Sequence, residues 1–230
     1  MTPPTKLLLF DIDGTLVKAP SGQVMVQVIA EQLGRPVQNF RELYMGGTDL
    51  TLVPQLLDKN NIEVEDVKTF TKTALDLYDQ RIGPALNMEG IVQLLPGTKA
   101  LIQTLIEQPQ FALGLVTGNT KAGAYAKLAP HRLDGYFAFG AFGDDDGNRD
   151  LLPPLAVERA SAHLSTTFAA EHTWIIGDTL KDIRCAKANN LRCLAVASGW
   201  TDAQTLADHQ PDVVVDDLSD AEKILQILNQ

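Results

Sequence analysis

Short apolar segments that end in Asp, Gly or Thr constrain the fold of this chain more than any other feature. Near-continuous apolarity is typical of parallel β-strands that are covered on both faces. Segments with helical periodicity separate these runs from about residue 92 onward, and the alternation predicts an α/β fold with a doubly wound, mostly parallel sheet. The predicted strands are residues 6–10, 111–116, 173–176, 192–197 and 212–215, with a less regular aromatic candidate at 136–142.

The segment between the first two predicted strands has a different character. Helical periodicity occurs at residues 24–33, 50–59 and 64–81, and turn residues such as Gly46-Gly47 and Gly83-Pro84 separate the periods. A helical block inserted into a parallel sheet predicts a second, smaller domain. We therefore expect an α/β core made of residues 1–17 and 92–230, and a small α-helical cap made of residues 18–91.

Charge and hydropathy exclude several classes of partner. The 230 residues carry 19 Lys and Arg against 29 Asp and Glu, a net charge of −10, and no basic run, which disfavours nucleic acid and anionic membranes. The apolar runs are too short to cross a bilayer, and the one near the N-terminus is too short for a signal peptide. The sequence predicts a cytoplasmic protein with no membrane partner.

Polar residues gather where three predicted strands end. Ligands of open parallel sheets bind at the carboxyl ends of the strands. Carboxylates buried together need a cation or protons to offset their charge, and a few hard oxygen ligands suit Mg²⁺, which also accepts phosphate oxygens. The residues that follow the three strands are Asp11 and Asp13, then Thr117, Gly118 and Asn119, then Asp178 and Asp182.

This set of residues favours phosphoryl chemistry. Asp11 and Asp13 lie two residues apart at a strand end, so both side chains can face one pocket. One carboxylate can attack phosphorus while the other handles the leaving-group proton. Thr117 and the N–H groups of Gly118 and Asn119 precede a helix, where they can hold phosphate oxygens.

Three motifs in this order resemble those of a known family. They are D-x-D-G-T-L at residues 11–16, an apolar strand followed by T-G at 115–119, and G-D-T-x-x-D at 177–182. The chain resembles the haloacid dehalogenase superfamily, and within it the phosphoglycolate-phosphatase-like hydrolases that carry a helical cap. The resemblance extends over nearly the whole chain.

The resemblance implies a role for each matched residue. Asp11 is expected to be the nucleophile that forms an aspartyl-phosphate, and Asp13 the general acid and later the base. Mg²⁺ is expected to bind Asp11, the Asp13 backbone carbonyl and Asp178, with Asp182 as a further ligand or as a residue that orients the ligands. Thr117 is expected to bind the transferred phosphoryl group.

One position departs from the family pattern. The family usually has a lysine shortly before the helix that leads to its last motif, and this sequence has none there. We expect Arg149 to replace it as a catalytic and phosphate-binding cation, because a positive charge is needed beside Asp11. The alternatives are that Arg149 pairs with a neighbouring aspartate in a solvated loop, and that Lys121 supplies the charge.

The sequence therefore predicts an enzyme: a Mg²⁺-dependent phosphohydrolase that cleaves a small phosphate monoester, phosphoglycolate or a similar metabolite. A phosphomutase of the β-phosphoglucomutase type is the enzymatic alternative. An inactive scaffold with a binding or regulatory role is an alternative of another class. The chain is expected to be a monomer or a homodimer. Residues 46–49 of the cap either form a simple turn or present a group to the substrate.

Overall fold

A parallel sheet forms the centre of the molecule. The computed structural model describes residues 3–230, and within them six strands pair in parallel in the order β5-β4-β1-β6-β7-β8. A separate antiparallel pair is formed by β2 and β3. The strands are β1 (Lys6–Phe10), β2 (Val17–Lys18), β3 (Gln93–Leu94), β4 (Phe111–Val116), β5 (Gly140–Ala141), β6 (Thr173–Gly177), β7 (Arg192–Val196) and β8 (Val213–Val215).

Helices cover both faces of this sheet, which confirms the predicted doubly wound α/β fold. Alternate side chains of β1 enter different apolar clusters: Leu8 and Phe10 pack into one, and Leu7 and Leu9 into the other. The helices are α1 (Ser21–Leu33), α2 (Asp49–Lys59), α3 (Val67–Leu86), α4 (Thr98–Ile106), α5 (Lys121–Leu128), α6 (Leu152–Leu164), α7 (Leu180–Ala188), α8 (Ala203–Asp208) and α9 (Ala221–Leu228).

The segment after β1 is helical, as its periodicity predicts. Helices α1 and α3 pack against each other, and α3 also packs against α5 of the sheet-bearing part. The chain leaves the sheet through β2 and returns through β3, close to the predicted boundaries at residues 17 and 91. The assignment of residues 18–91 to a separate domain stays a prediction.

Two local predictions need correction. The aromatic segment at residues 136–142 contributes only Gly140–Ala141 to the sheet, because Asp134–Tyr136 forms a 3₁₀ turn instead. The Gly83-Pro84 pair does not end its helix: α3 continues to Leu86. Burial of Ile82 and Leu86 favours this last turn over the local preference for a break.

Two further points concern the N-terminal segment and the hydropathy of the helices. Met1 and Thr2, which open the N-terminal segment for which we predicted no signal peptide, lie outside the described residues. Among the helices of residues 3–230, none combines the length and apolarity needed to cross a membrane.

Candidate active site

The site lies at the carboxyl ends of three adjacent strands. β1 occupies the middle of the sheet, with β4 on one side and β6 on the other, so the residues that follow them meet at one edge. Asp11 extends the ladder beyond β1, since its N–H donates to the Ile176 carbonyl at 2.9 Å. The chain then turns at Gly14, whose φ is 85°. A Cβ at that position would lie 2.2 Å from Asp178 Oδ2, so only glycine fits.

Three buried carboxylates form the centre of the site. Oxygens of Asp11, Asp178 and Asp182 lie within 4.8 Å of one another. Burial raises the pKa of Asp11 to about 6, against the lowering effect of Arg149. Burial, with Asp11 and Asp182 nearby, also raises the pKa of Asp178 well above its ordinary value. Both pKa values rise because holding several negative charges together away from water costs free energy. A divalent cation bound there would offset that cost.

The donors around Asp178 hold its carboxylate in one orientation. The backbone N–H of Trp200 donates to Oδ2 at 2.8 Å, and the Thr15 hydroxyl donates to Oδ1 at 3.2 Å. Gly199 leaves room for the carboxylate, because a Cβ there would lie 1.9 Å from Oδ2. A fixed set of hard carboxylate oxygens with unbalanced charge fits Mg²⁺.

Asp182 is the most heavily engaged of the three. Its Oδ2 accepts hydrogen bonds from the N–H and the hydroxyl of Thr179, at 3.0 and 2.6 Å, in a capping box that opens α7. Its Oδ1 is paired with Arg149. Both oxygens of Asp182 therefore already have hydrogen-bond partners. This arrangement suits a residue that orients the neighbouring side chains better than one that binds a metal ion directly.

Arg149 lies in this cluster, as predicted. Its side chain is 3% exposed, and Nη2 lies 3.2 Å from Asp11 Oδ1 as well as contacting Asp182. Burial alone would lower the pKa of Arg149, but Asp182 and Asp11 outweigh it and raise the pKa above its ordinary value. Nη1 donates to the carbonyl of Gly46 in the helical segment at 3.2 Å.

The structure does not favour either alternative to Arg149 as the cation beside Asp11. Two of the aspartates that could have paired with it in the loop have other partners: Asp145 binds Arg159 and Asp150 binds Arg184. Lys121 is exposed, with Nζ 6.0 Å from the centre of the Phe142 ring. Arg149 is therefore the cation beside Asp11.

Asp13 has a cationic partner that the sequence analysis missed. Lys127 is buried on α5, with Nζ 2.6 Å from Asp13 Oδ2. Asn119 donates through Nδ2 to Asp13 Oδ2 at 2.8 Å and to the Thr117 hydroxyl at 2.7 Å. The sequence contained one signal for the burial of Lys127. This residue shares a helix face with the small residues Gly123 and Ala124, which are typical of a buried face and not of a solvated one.

The turn at residues 46–49 packs through its backbone on the loop that follows β4. The Asp49 N–H donates to the Gly118 carbonyl at 2.7 Å, and Asp49 Oδ2 accepts from the Thr120 N–H at 2.9 Å. A Cβ at Gly118 would lie 1.7 Å from the Gly47 carbonyl oxygen. Burial raises the pKa of Asp49 to about 6, although Lys127 and the Thr120 N–H lower it. The turn thus joins the helical segment to the strand ends.

A cavity of about 360 Å³ lies between these two parts, a size suited to a small ligand. Its far side includes a cation–aromatic pair, in which the Arg41 guanidinium lies 5.0 Å from the centre of the Trp200 ring. The strand-end residues that line it are Asp11, Asp13, Thr117, Gly118, Asn119, Lys127 and Arg149. The helical segment and its connections contribute Lys18, Gln23, Asn39, Arg41, Tyr44, Asp49 and Tyr78, among others.

Comparisons with known proteins agree with this arrangement. A family model described as HAD-hydrolase-like matches residues 152–221. Phosphoglycolate phosphatases from Nitrosococcus oceani and Pseudomonas syringae pv. tomato are 27% and 24% identical; the alignments cover 96% and 93% of this chain, and 96% and 77% of those proteins. A hydrolase from Pseudomonas syringae has the same fold, with a TM-score of 0.69, 19% identity and coverage of 97% and 99% of the two chains.

Fold, site and comparisons define the class of protein. The chain is similar in sequence and in fold to hydrolases of the haloacid dehalogenase superfamily. It is an enzyme of the phosphatase type, similar to the phosphoglycolate phosphatases, as the sequence analysis predicted.

Proposed function

We propose that this enzyme is a Mg²⁺-dependent phosphohydrolase that cleaves a small phosphate monoester through an aspartyl-phosphate on Asp11. The observation that carries the proposal is the cluster of Asp11, Asp178 and Asp182, with oxygens within 4.8 Å, beside a cavity that Asp13 also lines. Asp11, the Asp13 backbone carbonyl and Asp178 would hold Mg²⁺, and Asp182 would orient Arg149 and the ligands. When bound, Mg²⁺ supplies positive charge that offsets the carboxylates and the phosphate oxygens.

The first half of the reaction transfers the phosphoryl group to the protein. A carboxylate oxygen of Asp11 bonds to phosphorus as the bond from phosphorus to the leaving-group oxygen breaks, and Asp13 gives that oxygen a proton. Arg149 lies beside Asp11 and offsets its charge and that of the phosphoryl oxygens. The Thr117 hydroxyl and the N–H groups of Gly118 and Asn119 would hold the transferred group.

The second half returns Asp11 to its starting state. Asp13 takes a proton from water as the water oxygen bonds to phosphorus and the Asp11–phosphorus bond breaks. Phosphate then leaves. The dual role of Asp13 follows from its place at the cavity, with a side chain that is 27% exposed while Asp11 is 5% exposed.

The substrate we propose is phosphoglycolate or a similar small monoester whose leaving group is anionic. Two observations support it: the relatives are phosphoglycolate phosphatases, and Lys18 and Arg41 are present in the cavity lining. Such a metabolite is intracellular, and we propose the cytoplasm as the location. The predictions of no nucleic-acid or membrane partner and of a monomer or homodimer stay predictions.

Phosphate release from a panel of small esters tests this function. The panel includes phosphoglycolate, sugar phosphates, a nucleoside monophosphate and p-nitrophenyl phosphate, each with Mg²⁺ and with a chelator. Asp11→Asn removes the nucleophilic oxygen, so its turnover should fall by at least about 10³-fold. Asp58→Asn, a matched change at an exposed carboxylate, should match wild type.

Other outcomes identify the alternatives. Isomerisation of a sugar phosphate without phosphate release, seen only after priming with a sugar bisphosphate, would indicate a phosphomutase and contradict the hydrolase proposal. No turnover of any ester in either assay would favour an inactive scaffold. Release that persists in the presence of chelator would contradict the metal requirement.

A further inference from the structure

Lys127 is a buried ammonium group that neither the motifs nor the proposed roles account for. Its side chain is 2% exposed, and lysine is rarely buried this fully without a specific partner. Its Nζ donates to Asp13 Oδ2 at 2.6 Å and to Asn119 Oδ1. The site therefore contains two buried cations with different partners, since Arg149 pairs with Asp11 and Asp182.

The ammonium group determines the orientation of the Asn119 amide. An ammonium has three donors and no acceptor, so Asn119 must turn its Oδ1 toward Lys127. The amide Nδ2 is then directed to Asp13 Oδ2, at 2.8 Å, and to the Thr117 hydroxyl, at 2.7 Å. One lysine thereby orders the side chains of two segments, the turn after β1 and the loop after β4.

The two oxygens of Asp13 are left in different environments. Oδ2 accepts from Lys127 and from Asn119, both of which can only donate there. Oδ1 accepts no hydrogen bond from any residue of the described range 3–230, and Asp13 lines the cavity. A proton on this carboxyl group consequently belongs on Oδ1, because a proton on Oδ2 would face two donors.

We propose that Lys127 is a positioning residue that, through Asn119, holds the Asp13 carboxyl group with Oδ1 toward the leaving group. This inference rests on the proposed function. As the bond from Asp11 to phosphorus forms and the bond to the leaving-group oxygen breaks, the proton on Asp13 Oδ1 moves to that oxygen. Lys127 stays hydrogen-bonded to Oδ2 and offsets the charge of the carboxylate that remains.

The dependence on the leaving group separates this role from a structural one. An alkyl phosphate has a poor leaving group that needs the Asp13 proton, whereas p-nitrophenolate leaves without one. Lys127→Met should lower kcat/KM, which reports only the steps up to phosphoryl transfer, by about 10²-fold for an alkyl phosphate and by less than about threefold for p-nitrophenyl phosphate. Lys121→Met, an exposed lysine on the same helix, should leave both values unchanged.

A second variant keeps the test valid if Lys127→Met does not fold, as judged from its melting temperature. Asn119→Ala leaves Lys127 in place and removes one of the two donors to Asp13 Oδ2. We expect it to lower kcat/KM for the alkyl phosphate by about tenfold, with a smaller effect on p-nitrophenyl phosphate. When both variants fold, their effects on the alkyl phosphate should be less than additive, because both act on one oxygen.

Two results would overturn the proposal. One is an equal loss of kcat/KM on both substrates, and the other is unchanged kcat/KM for the alkyl phosphate. Failure of the proposed function is distinguishable from either, because wild type and Asp11→Asn would then show the same turnover of both esters.

Discussion

The two sides of the cavity are built in different ways. On the strand-end side, the charged groups are buried, apart from the half-buried Asp13, and they are tied to several partners: Asp178 has the backbone N–H of Trp200 and Thr15, and Asp182 has Thr179 and Arg149. The side formed by the helical segment carries exposed groups on short irregular elements, such as Arg41 in a 3₁₀ turn.

This difference separates two requirements of the enzyme. Transfer of a phosphoryl group needs charges held in one geometry, and a parallel sheet supplies fixed strand ends for that purpose. Choice of a leaving group needs a surface that can vary without disturbing the charges, and loops provide it. The two sides meet where Gly46–Asp49 packs on Gly118 and where Arg149 reaches the Gly46 carbonyl.

The largest effect is expected on the strand-end side. Arg149→Met leaves the buried carboxylates of Asp11 and Asp182 without their cation, so kcat should fall by about 10³-fold in the folded protein. Arg149→Lys keeps the charge but not the fork that reaches both the carboxylates and Gly46, so its loss should be smaller. Arg159→Met, which removes a partly exposed pair with Asp145 and a hydrogen bond to the Gly140 carbonyl but no contact with Asp11, is the control, and its turnover should remain near that of wild type. Wild-type turnover in Arg149→Met would contradict the role of this residue.

A smaller effect is expected at the junction of the two sides. Gly118→Ala would place a Cβ 1.7 Å from the Gly47 carbonyl oxygen, so the turn at residues 46–49 must move away. We expect kcat/KM to fall by about 10- to 100-fold, since displacement of this order misplaces the substrate. Gly135→Ala, where a Cβ meets nothing within 4 Å, should keep both activity and melting temperature. If the two variants behave alike, the contact is not needed for catalysis.

The smallest effect is expected on the side of the helical segment. Arg41→Met should raise KM about tenfold for an ester with an anionic leaving group, equivalent to ~1.4 kcal/mol, and leave kcat nearly unchanged. KM for p-nitrophenyl phosphate should change little. Arg35→Met is the matched control, because Arg35 is exposed on the same segment and does not line the cavity. A fall in kcat with constant KM would place Arg41 in the chemistry instead.

The same contrast explains what the sequence could predict. Asp11, Thr117 and Asp178 follow long apolar strands, and adjacent parallel strands bring their ends together whatever the details of packing. Arg149 required a further argument from charge balance, because only its place before α6 and the need for a cation pointed to it.

Other features depend on contacts that leave no local pattern. Lys127 enters the site because α5 brings it to Asp13; the small residues on its helix face indicate burial but do not reveal its partner. β2, β3 and β5 each have two residues, too few to show a period. Whether residues 46–49 serve as a turn or as a substrate contact could not be decided from their composition; the structure shows a turn that is bonded to Gly118 and also lines the cavity.

Detection of the phosphorylated intermediate tests the central claim most directly. Wild type and Asp11→Asn are mixed with the best ester and Mg²⁺, quenched in acid within one turnover, and digested for peptide mass analysis. Our account predicts one phosphoryl group on the wild-type peptide that contains Asp11, replaced by homoserine at that position after borohydride reduction, and none in Asp11→Asn. Rapid turnover by wild type with no phosphoryl group on this peptide, together with substantial turnover by Asp11→Asn, would contradict it.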